Sequence, residues 1–508
     1  MAAVQTGTTQ GSGLARISQA QGALLGAGVA AAGGLLADAL APRGAATTAQ
    51  VLATMAIALV VGVAGGCLAR TRWVLLLQLA AWMVAVEIGR RGVAVPSLDV
   101  RLDTVYGIIA LLITRGLDGI LLVLPLATGV LAGLPLGRRL AGAPTVSRRL
   151  PVGSVMVGGL TLGLAVLVAW PASTPPVLRK DGATVTGGVA ELATVNLGGA
   201  DQAVMIRGAS TDKPVVLYLS GGPGQSDLPL ARVLSAGWTD DVVFVDLDQR
   251  GNGKSYAAID PLASMTLDQA VSDVIELTDY LRERFGQDKI TLMGESWGSI
   301  LGVLAVQRRP DLYHAWIGSG QMVDVLETDR RIYADLLAYG NRVGDDDLLA
   351  SLVAIGSPPY RDIPWANSNL LAWYEYLYKP YTPSEGYRTR GHASGLDPFG
   401  VLGSEYAFIE KRNVLRGLID TFTVMYPQLY DLDFRISATH LEVPVYILDG
   451  KAELEGRRSV MLEWYEQLEA PSKQLVSFDG AAHSVAFEQA DEVLHLLTET
   501  VFPAADAP

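Results

Sequence analysis

The chain has 508 residues, half of them hydrophobic, and a formal net charge of −13, which is too long for one ordinary domain. The average hides a division: residues 1–178 carry 12 Arg, no Lys and 5 acidic residues, net +7, while residues 179–508 carry −20, so two environments are implied. The single cysteine, Cys67, excludes an intrachain disulfide and Cys–His metal spacing, and the acidic second part has no basic stripe with interleaved aromatics, which argues against nucleic acid as a partner.

In chain order, residues 1–20 read as an N-terminal tail. A helix needs about 20 apolar residues to cross a bilayer. Five stretches approach that length, roughly 21–41, 50–69, 73–89, 118–136 and 152–171, more than a cleavable signal peptide explains. The first is rich in Ala and Gly; the third is short, with Trp82 and Glu87 in it. Residues 104–114 are too short to span alone, and read either as an interfacial or re-entrant helix or as the start of a long, tilted fourth span. Residues 21–171 are therefore expected to form an all-α transmembrane bundle whose partner is a lipid bilayer and whose one legible role is anchoring. With the N-terminus inside, seven arginines fall in inside segments and five in outside segments. The cluster Arg138, Arg139, Arg148 and Arg149 puts the loop before the last span in the cytoplasm and the rest of the chain outside it. Glu87 reads as a helix-end residue near Arg90 and Arg91, and Cys67 as a small packing residue.

Residues 172–190 form a linker that opens on Pro171-Ala172-Ser173-Thr174-Pro175-Pro176. Strand patterns then recur near 191–197, 202–207, 214–219, 241–246, 289–293, 314–319, 443–449 and 473–478. Met265 to Phe285 is amphipathic, with Leu267, Val271, Val274, Ile275, Leu277, Leu281 and Phe285 apolar. Strands alternating with helices predict a mostly parallel sheet between helical layers, an α/β class. Its first part covers 191–321 and its second 439–508. Between 322 and 438 the strand pattern stops and helical spacing takes over, as in a cap. Trp365, Trp373, Tyr374, Tyr376, Tyr378 and Tyr381 read there mainly as cap packing, with a pocket for an apolar or cyclic side chain as the alternative.

Three motifs carry chemistry. Pro214–Leu219 is a strand running into Ser220-Gly221-Gly222-Pro223-Gly224, a glycine turn whose backbone N–H groups suit an oxyanion. Asp248-Gln249-Arg250-Gly251-Asn252-Gly253-Lys254-Ser255 follows the next strand; Asp248 and Arg250 read as the supports of a structural turn. Gly294-Glu295-Ser296-Trp297-Gly298 sits between a strand and a helix, with the serine at the apex of a tight, strained turn. Ser296 is thus the candidate nucleophile, with Gly222 and Trp297 as the oxyanion donors. Of five histidines, His483 lies in a loop after the last strand, where a general base belongs. His314 and His495 read as structural, and His392 and His440 fit no triad order.

Together with Gly318-Ser319-Gly320-Gln321, these motifs resemble those of the proline iminopeptidase (prolyl aminopeptidase) family of α/β-hydrolases, over roughly residues 190–505. The resemblance implies an α/β-hydrolase fold with a helical cap, no metal or organic cofactor, and a triad acid in a turn after the penultimate strand. That turn is Asp449-Gly450-Lys451-Ala452-Glu453, so the family position falls on Glu453, where aspartate is usual; Asp449 and Glu455 are its rivals. The order Ser296, Glu453, His483 is nucleophile, acid, histidine. A second departure is Ser220, where the family usually has histidine. The resemblance also implies acidic residues near the cap that hold a substrate's free amine, for which Glu295, Glu327 and Glu375 are candidates. The expected activity is that of a membrane-anchored serine hydrolase cleaving short peptides. An esterase or amidase on small or lipid-like molecules, and an inactive membrane sensor or scaffold, are the alternatives.

Overall fold

The computed structural model describes residues 17–93, 96–99, 101–142, 151–178, 182–378, 380–393 and 400–505, with backbone alone for 391–393. Most of the N-terminal tail, Arg148, Arg149, part of the linker and the His392 side chain lie outside the described residues. The chain divides into two compact units.

The first unit holds α1 (Gln19–Leu40), α2 (Thr48–Ala69), α3 (Val74–Gly89), the part of α4 (Val105–Leu111) from Ile109 on, α5 (Leu117–Leu140) and α6 (Val152–Ala169). The first two helices each begin with a capping box, Ser18 with Gln21 and Thr47 with Gln50, which satisfies two otherwise orphaned N–H groups. A single π turn, Leu112–Gly116, joins α4 to α5, and residues 105–140 run as one apolar helix of 36 residues. The short stretch near 104–114 is therefore the start of a long fourth helix. Four helices among the described residues are long and apolar enough to cross a membrane, not five. The 16 residues of α3 reach only about 24 Å, short of a hydrocarbon core of about 30 Å.

Glycines set the spacing of α2 and α5. A Cβ on Gly62 or Gly66 of α2 would lie 2.2 or 2.3 Å from the carbonyl oxygens of Leu126 and Val130, and one on Gly133 or Gly137 of α5 would lie 2.2 or 2.0 Å from those of Val63 and Cys67. Small residues four apart on facing helices let backbones touch, the source of helix association where lipid removes the hydrophobic drive. Glu87 sits in the last turn of α3 near Arg90, as its place in the sequence implied, and forms its ion pair with Arg115.

The second unit is built on eight strands: β1 (Val189–Leu197), β2 (Ala200–Gly208), β3 (Val215–Leu219), β4 (Val243–Asp248), β5 (Ile290–Glu295), β6 (Tyr313–Ser319), β7 (Val445–Gly450) and β8 (Lys473–Phe478). Their order is β1-β2-β4-β3-β5-β6-β7-β8. The β1–β2 and β2–β4 pairs are antiparallel and the rest are parallel. Every residue of β3, β4, β5 and β7 is buried, as runs of Val, Ile and Leu covered on both faces require. All eight expected strands form; β4 extends two residues further than its apolar pattern, so Asp248 ends the strand.

Because β4 lies on one side of β3 and β5 on the other, successive connections leave the β3 edge in opposite directions. A crevice opens at such a switch point, outside the C-terminal ends of the strands, and the loops after β3 and β5 are the two glycine motifs. Helices α7 (Leu228–Leu234), α8 (Leu267–Phe285) and α9 (Trp297–Arg308) pack against the sheet. Between β6 and β7 come α10 (Val325–Val343), α11 (Asp346–Ile355), α12 (Trp365–Tyr378), α13 (Glu385–Ala393), α14 (Phe408–Met425) and α15 (Phe434–Ser437), and no strand among the described residues. Ile332, Leu336, Leu352 and Leu370 form a cap core joined by Tyr360, Trp373, Tyr374, Tyr376 and Tyr378, so most of the aromatic cluster is packing. α16 (Glu455–Gln467) follows β7, and α17 (Val485–Glu488), α18 (Ala490–Leu496) and α19 (Phe502–Ala505) follow β8.

Candidate active site

Ser296 stands between the last residue of β5 and the first of α9, with φ 54° and ψ −119°. Such a conformation is rare and costly for a residue with a Cβ; besides Arg70 it is the sole positive-φ non-glycine among the described residues. The flanking glycines make it possible. A Cβ on Gly294 would lie 2.4 Å from the Gly298 carbonyl oxygen, and one on Gly298 would lie 2.0 Å from that of Leu219. The Ser296 N–H donates to the Ser319 carbonyl at 3.1 Å, and the Ser299 hydroxyl donates to the Ser296 carbonyl at 2.5 Å. The serine is thus pinned to the ends of β5 and β6 at the positive end of α9.

The glycine loop after β3 lies directly against it: a Cβ on Gly221 would come within 3.3 Å of the Ser296 Cβ, and Gly222 has φ 114°. As first residue of α9, Trp297 has an N–H with no intrahelical acceptor. Gln249 ties the two donor-bearing segments together. Its Nε2 donates to the Ser220 carbonyl at 3.0 Å, and its Oε1 accepts from the Trp297 indole at 2.7 Å. Sequence reasoning passed over Gln249 for its charged neighbours. Those are structural, as expected: Arg250 forks onto Asp273 with two contacts of 2.8 Å and also reaches the Leu197 carbonyl. Asp248 accepts from the Lys254 N–H at 2.8 Å and the Tyr406 hydroxyl at 3.1 Å, while burial pushes its carboxyl up to about 7.

Across the crevice, His483 Nδ1 lies 2.5 Å from Glu453 Oε2. The other oxygen, Oε1, accepts from the Tyr378 hydroxyl at 2.7 Å, the Leu454 N–H at 2.7 Å and Arg457 Nη1 at 2.8 Å. Burial alone would raise this carboxyl, but the Arg457 guanidinium and the imidazole hold it well below the usual carboxylate range. Burial likewise opposes the Arg457 charge, and Glu453 more than offsets that. Of the rival acids, Asp449 is engaged by Arg458 at 2.7 and 2.9 Å and by the Ser477 hydroxyl at 2.8 Å, and Glu455 is exposed at the start of α16.

Two links bring the serine and histidine sides together. The Ser484 hydroxyl, next to the histidine, donates at 2.8 Å to Glu295 Oε1, next to the serine. Gly320, one residue past the Ser319 carbonyl that holds Ser296, is pressed against the His483 ring, where a Cβ would lie 2.7 Å from Nδ1. Since Nδ1 faces Glu453, Nε2 is the ring nitrogen left for the serine. Ser296 and His483 share no hydrogen bond, a contact that commonly tightens only with substrate.

Burial raises the Glu295 carboxyl to about 8, and its Oε2 has no partner within the protein. Glu327 forms an ion pair with Arg331 at 2.9 Å, and Glu375 is exposed on α12. His440 and His495 are exposed, away from these contacts. Arg457 and Tyr378 escaped sequence reasoning as site residues because they act through a neighbour and belong to no motif, and Gln249, which lies within one, acts through the backbone and an indole instead of on the substrate.

The profile of the family "Serine aminopeptidase, S33" matches residues 230–343, which include Ser296 but not Glu453 or His483. A probable aminopeptidase of Bacillus subtilis, YbaC, is 28% identical over 303 residues, covering 59% of this chain and 93% of its own. A proline iminopeptidase of Neisseria gonorrhoeae is 35% identical over 98 residues, 19% of this chain and 29% of that protein. Among solved structures, a proline iminopeptidase from Mycobacterium smegmatis superposes with a TM-score of 0.45 at 16% identity, covering 62% of this chain and 99% of that one. Over residues 230–343 the chain is thus similar to the serine aminopeptidase S33 family, and beyond that stretch it is similar to a probable aminopeptidase and, in part, to proline iminopeptidases.

Proposed function

We propose that the chain is a membrane-anchored serine peptidase that removes N-terminal residues from short peptides through an acyl-enzyme. The observation that carries this reading is the hydrogen-bonded pair of Glu453 and His483, at 2.5 Å, tied through Ser484 and Glu295 to a strained serine at the mouth of α9. In the proposed reaction Ser296 Oγ attacks the scissile carbonyl carbon, and its proton passes to His483 Nε2. Glu453 fixes the imidazole tautomer and stabilises the imidazolium without taking the proton. The oxyanion sits between the Gly222 and Trp297 N–H groups, each worth about 3 kcal/mol by analogy with a comparable site. The C–N bond then breaks and the proton goes to the departing amine. Water, deprotonated by His483, releases the acid and restores the serine.

Aminopeptidase chemistry is the first choice because the B. subtilis homologue, aligned over nearly its whole length, bears that name; an N-terminal proline or small apolar residue is the preferred substrate by likeness to the proline iminopeptidases. The test is to assay Pro-, Ala- and Leu-aminoacyl amides beside short-chain esters, in detergent or vesicles. Cleavage of at least one aminoacyl amide, lost in Ser296→Ala, is the expected result. Ester turnover with no aminoacyl cleavage would overturn the peptidase reading and leave the esterase. The arginine bias of the helical segment supports an extracytoplasmic catalytic unit. A membrane-impermeant serine-hydrolase probe should label intact cells, and labelling only after lysis would reverse that assignment.

A further inference from the structure

We infer that two tyrosines of the cap, Tyr378 and Tyr381, are positioning residues for the acid–histidine pair, so that the triad is complete only while the cap is seated on it. The inference rests on the triad reading above. Tyr378 ends α12 with its ring in the cap core, and its hydroxyl donates to Glu453 Oε1 at 2.7 Å. Three residues on, the Tyr381 hydroxyl donates to the Glu488 carboxylate and lies 3.4 Å from the Gly480 carbonyl oxygen. Glu488 grips the loop that carries His483 from both sides, accepting from the Ala482 N–H at 2.7 Å and the Ser484 N–H at 3.1 Å. A backbone bond of 2.8 Å from the Tyr381 N–H to the Tyr378 carbonyl fixes one tyrosine relative to the other. One short turn of the cap therefore holds the acid with one hydroxyl and the histidine loop with the other.

The chemistry follows from burial. A carboxylate out of water depends on every donor it has. Withdrawing Tyr378 would leave Glu453 with Arg457 and one amide on Oε1, and Arg457 Nη1 is also 3.0 Å from His483 Nδ1. The guanidinium would then be free to compete with the imidazole for the acid. A substrate that seats the cap thereby sets the catalytic geometry, a route from binding to turnover rather than to affinity alone.

The experiment is a double-mutant cycle in the full-length protein, read as the rate of fluorophosphonate labelling and as kcat and KM on whichever substrate is turned over. Tyr378→Phe and Tyr381→Phe, each with an unchanged melting temperature, are expected to lower kcat and labelling rate about tenfold, the size of one hydrogen bond to a charged group, with KM within about twofold. In a Glu453→Gln background, Tyr378→Phe should add little further loss, because the charge it serves is gone. Tyr374→Phe, in the same helix, should leave both rates unchanged. Equal losses from Tyr378→Phe with and without the Glu453 charge would make its role structural and overturn the inference, as would wild-type kcat in both phenylalanine variants. Tyr381→Phe carries the test if Tyr378→Phe does not fold. If Ser296→Ala still labels at the wild-type rate, the triad reading fails; if Ser296→Ala is silent while both phenylalanine variants label normally, only the cap coupling fails.

Discussion

The two sides of the crevice are held in different ways. The serine side is backbone: a strand end, a strained residue between two glycines, and a helix start, with carbonyls at 2.0 and 2.4 Å from any added Cβ. The acid–histidine side is built from side chains: a glutamate with donors from Tyr378, Arg457 and His483, and a histidine loop gripped by Glu488. Backbone-built geometry tolerates almost no substitution locally and draws on neighbouring strand ends and one bridging side chain, Gln249. Side-chain geometry accepts a glutamate in place of an aspartate, provided that distant elements supply the donors.

The sharpest break of this comparison is at its two ends. Ser296→Ala is expected to reduce turnover by about 10⁴-fold or more, as removal of a nucleophile does, with the melting temperature little changed, since alanine keeps the Cβ and with it the strain at φ 54°. On the other side, Glu453→Gln is expected to cost about 10³- to 10⁴-fold in kcat, because a neutral amide cannot stabilise the imidazolium. Asp449→Asn, which removes a charge bonded to Arg458 and Ser477 instead, should lower stability yet leave kcat within a few-fold. An equal kcat loss in both would place the acid wrongly.

Gln249→Ala tests the bridge between the two oxyanion segments. Both of its hydrogen bonds disappear, and a loss of about 10- to 100-fold in kcat with a small change in KM is expected if the donors shift by a fraction of an ångström. A change in KM alone would mean that the bridge serves binding.

The smallest effect concerns Glu295, which joins the two sides. Its carboxyl is raised to about 8 by burial, against about 4.3 in an unfolded chain. Between those values the folded chain holds a proton that the unfolded chain has lost, so stability falls as pH rises, and the loss is complete above about pH 8. Glu295→Gln removes this dependence while keeping an oxygen for Ser484. The melting temperature of the variant minus that of wild type should therefore grow from pH 5 to pH 8 and level off above; a constant difference would contradict a buried neutral acid.

The same contrast explains what was legible in the sequence. Gly294, Ser296, Gly298 and the turn at Gly221–Gly222 are local patterns, readable because the backbone geometry that they permit is encoded within a few residues. All eight strands were likewise visible as apolar runs, with β4 ending two residues later because Asp246 and Asp248 are polar residues inside a strand. Glu453 was readable only as a position in a turn, with Asp449 and Glu455 beside it. The choice depends on which carboxylate Arg457 and Tyr378 reach, contacts made 4 and 75 residues away in sequence. In the helical segment, Gly62, Gly66, Gly133 and Gly137 carried no reading of their own within the apolar runs, yet they are where α2 and α5 touch. The partner of Glu87, Arg115, lies 28 residues away, beyond any helix-end rule.

The most direct measurement is mass-spectrometric mapping of a fluorophosphonate adduct on the full-length protein, with labelling rates for wild type, Ser296→Ala, Glu453→Gln and Asp449→Asn. A single adduct on Ser296 is expected, absent in Ser296→Ala, slowed about 10³-fold or more in Glu453→Gln and near the wild-type rate in Asp449→Asn. An adduct on another residue, or equal rates in wild type and Glu453→Gln, would contradict the assembly of Ser296, His483 and Glu453 into one catalytic unit.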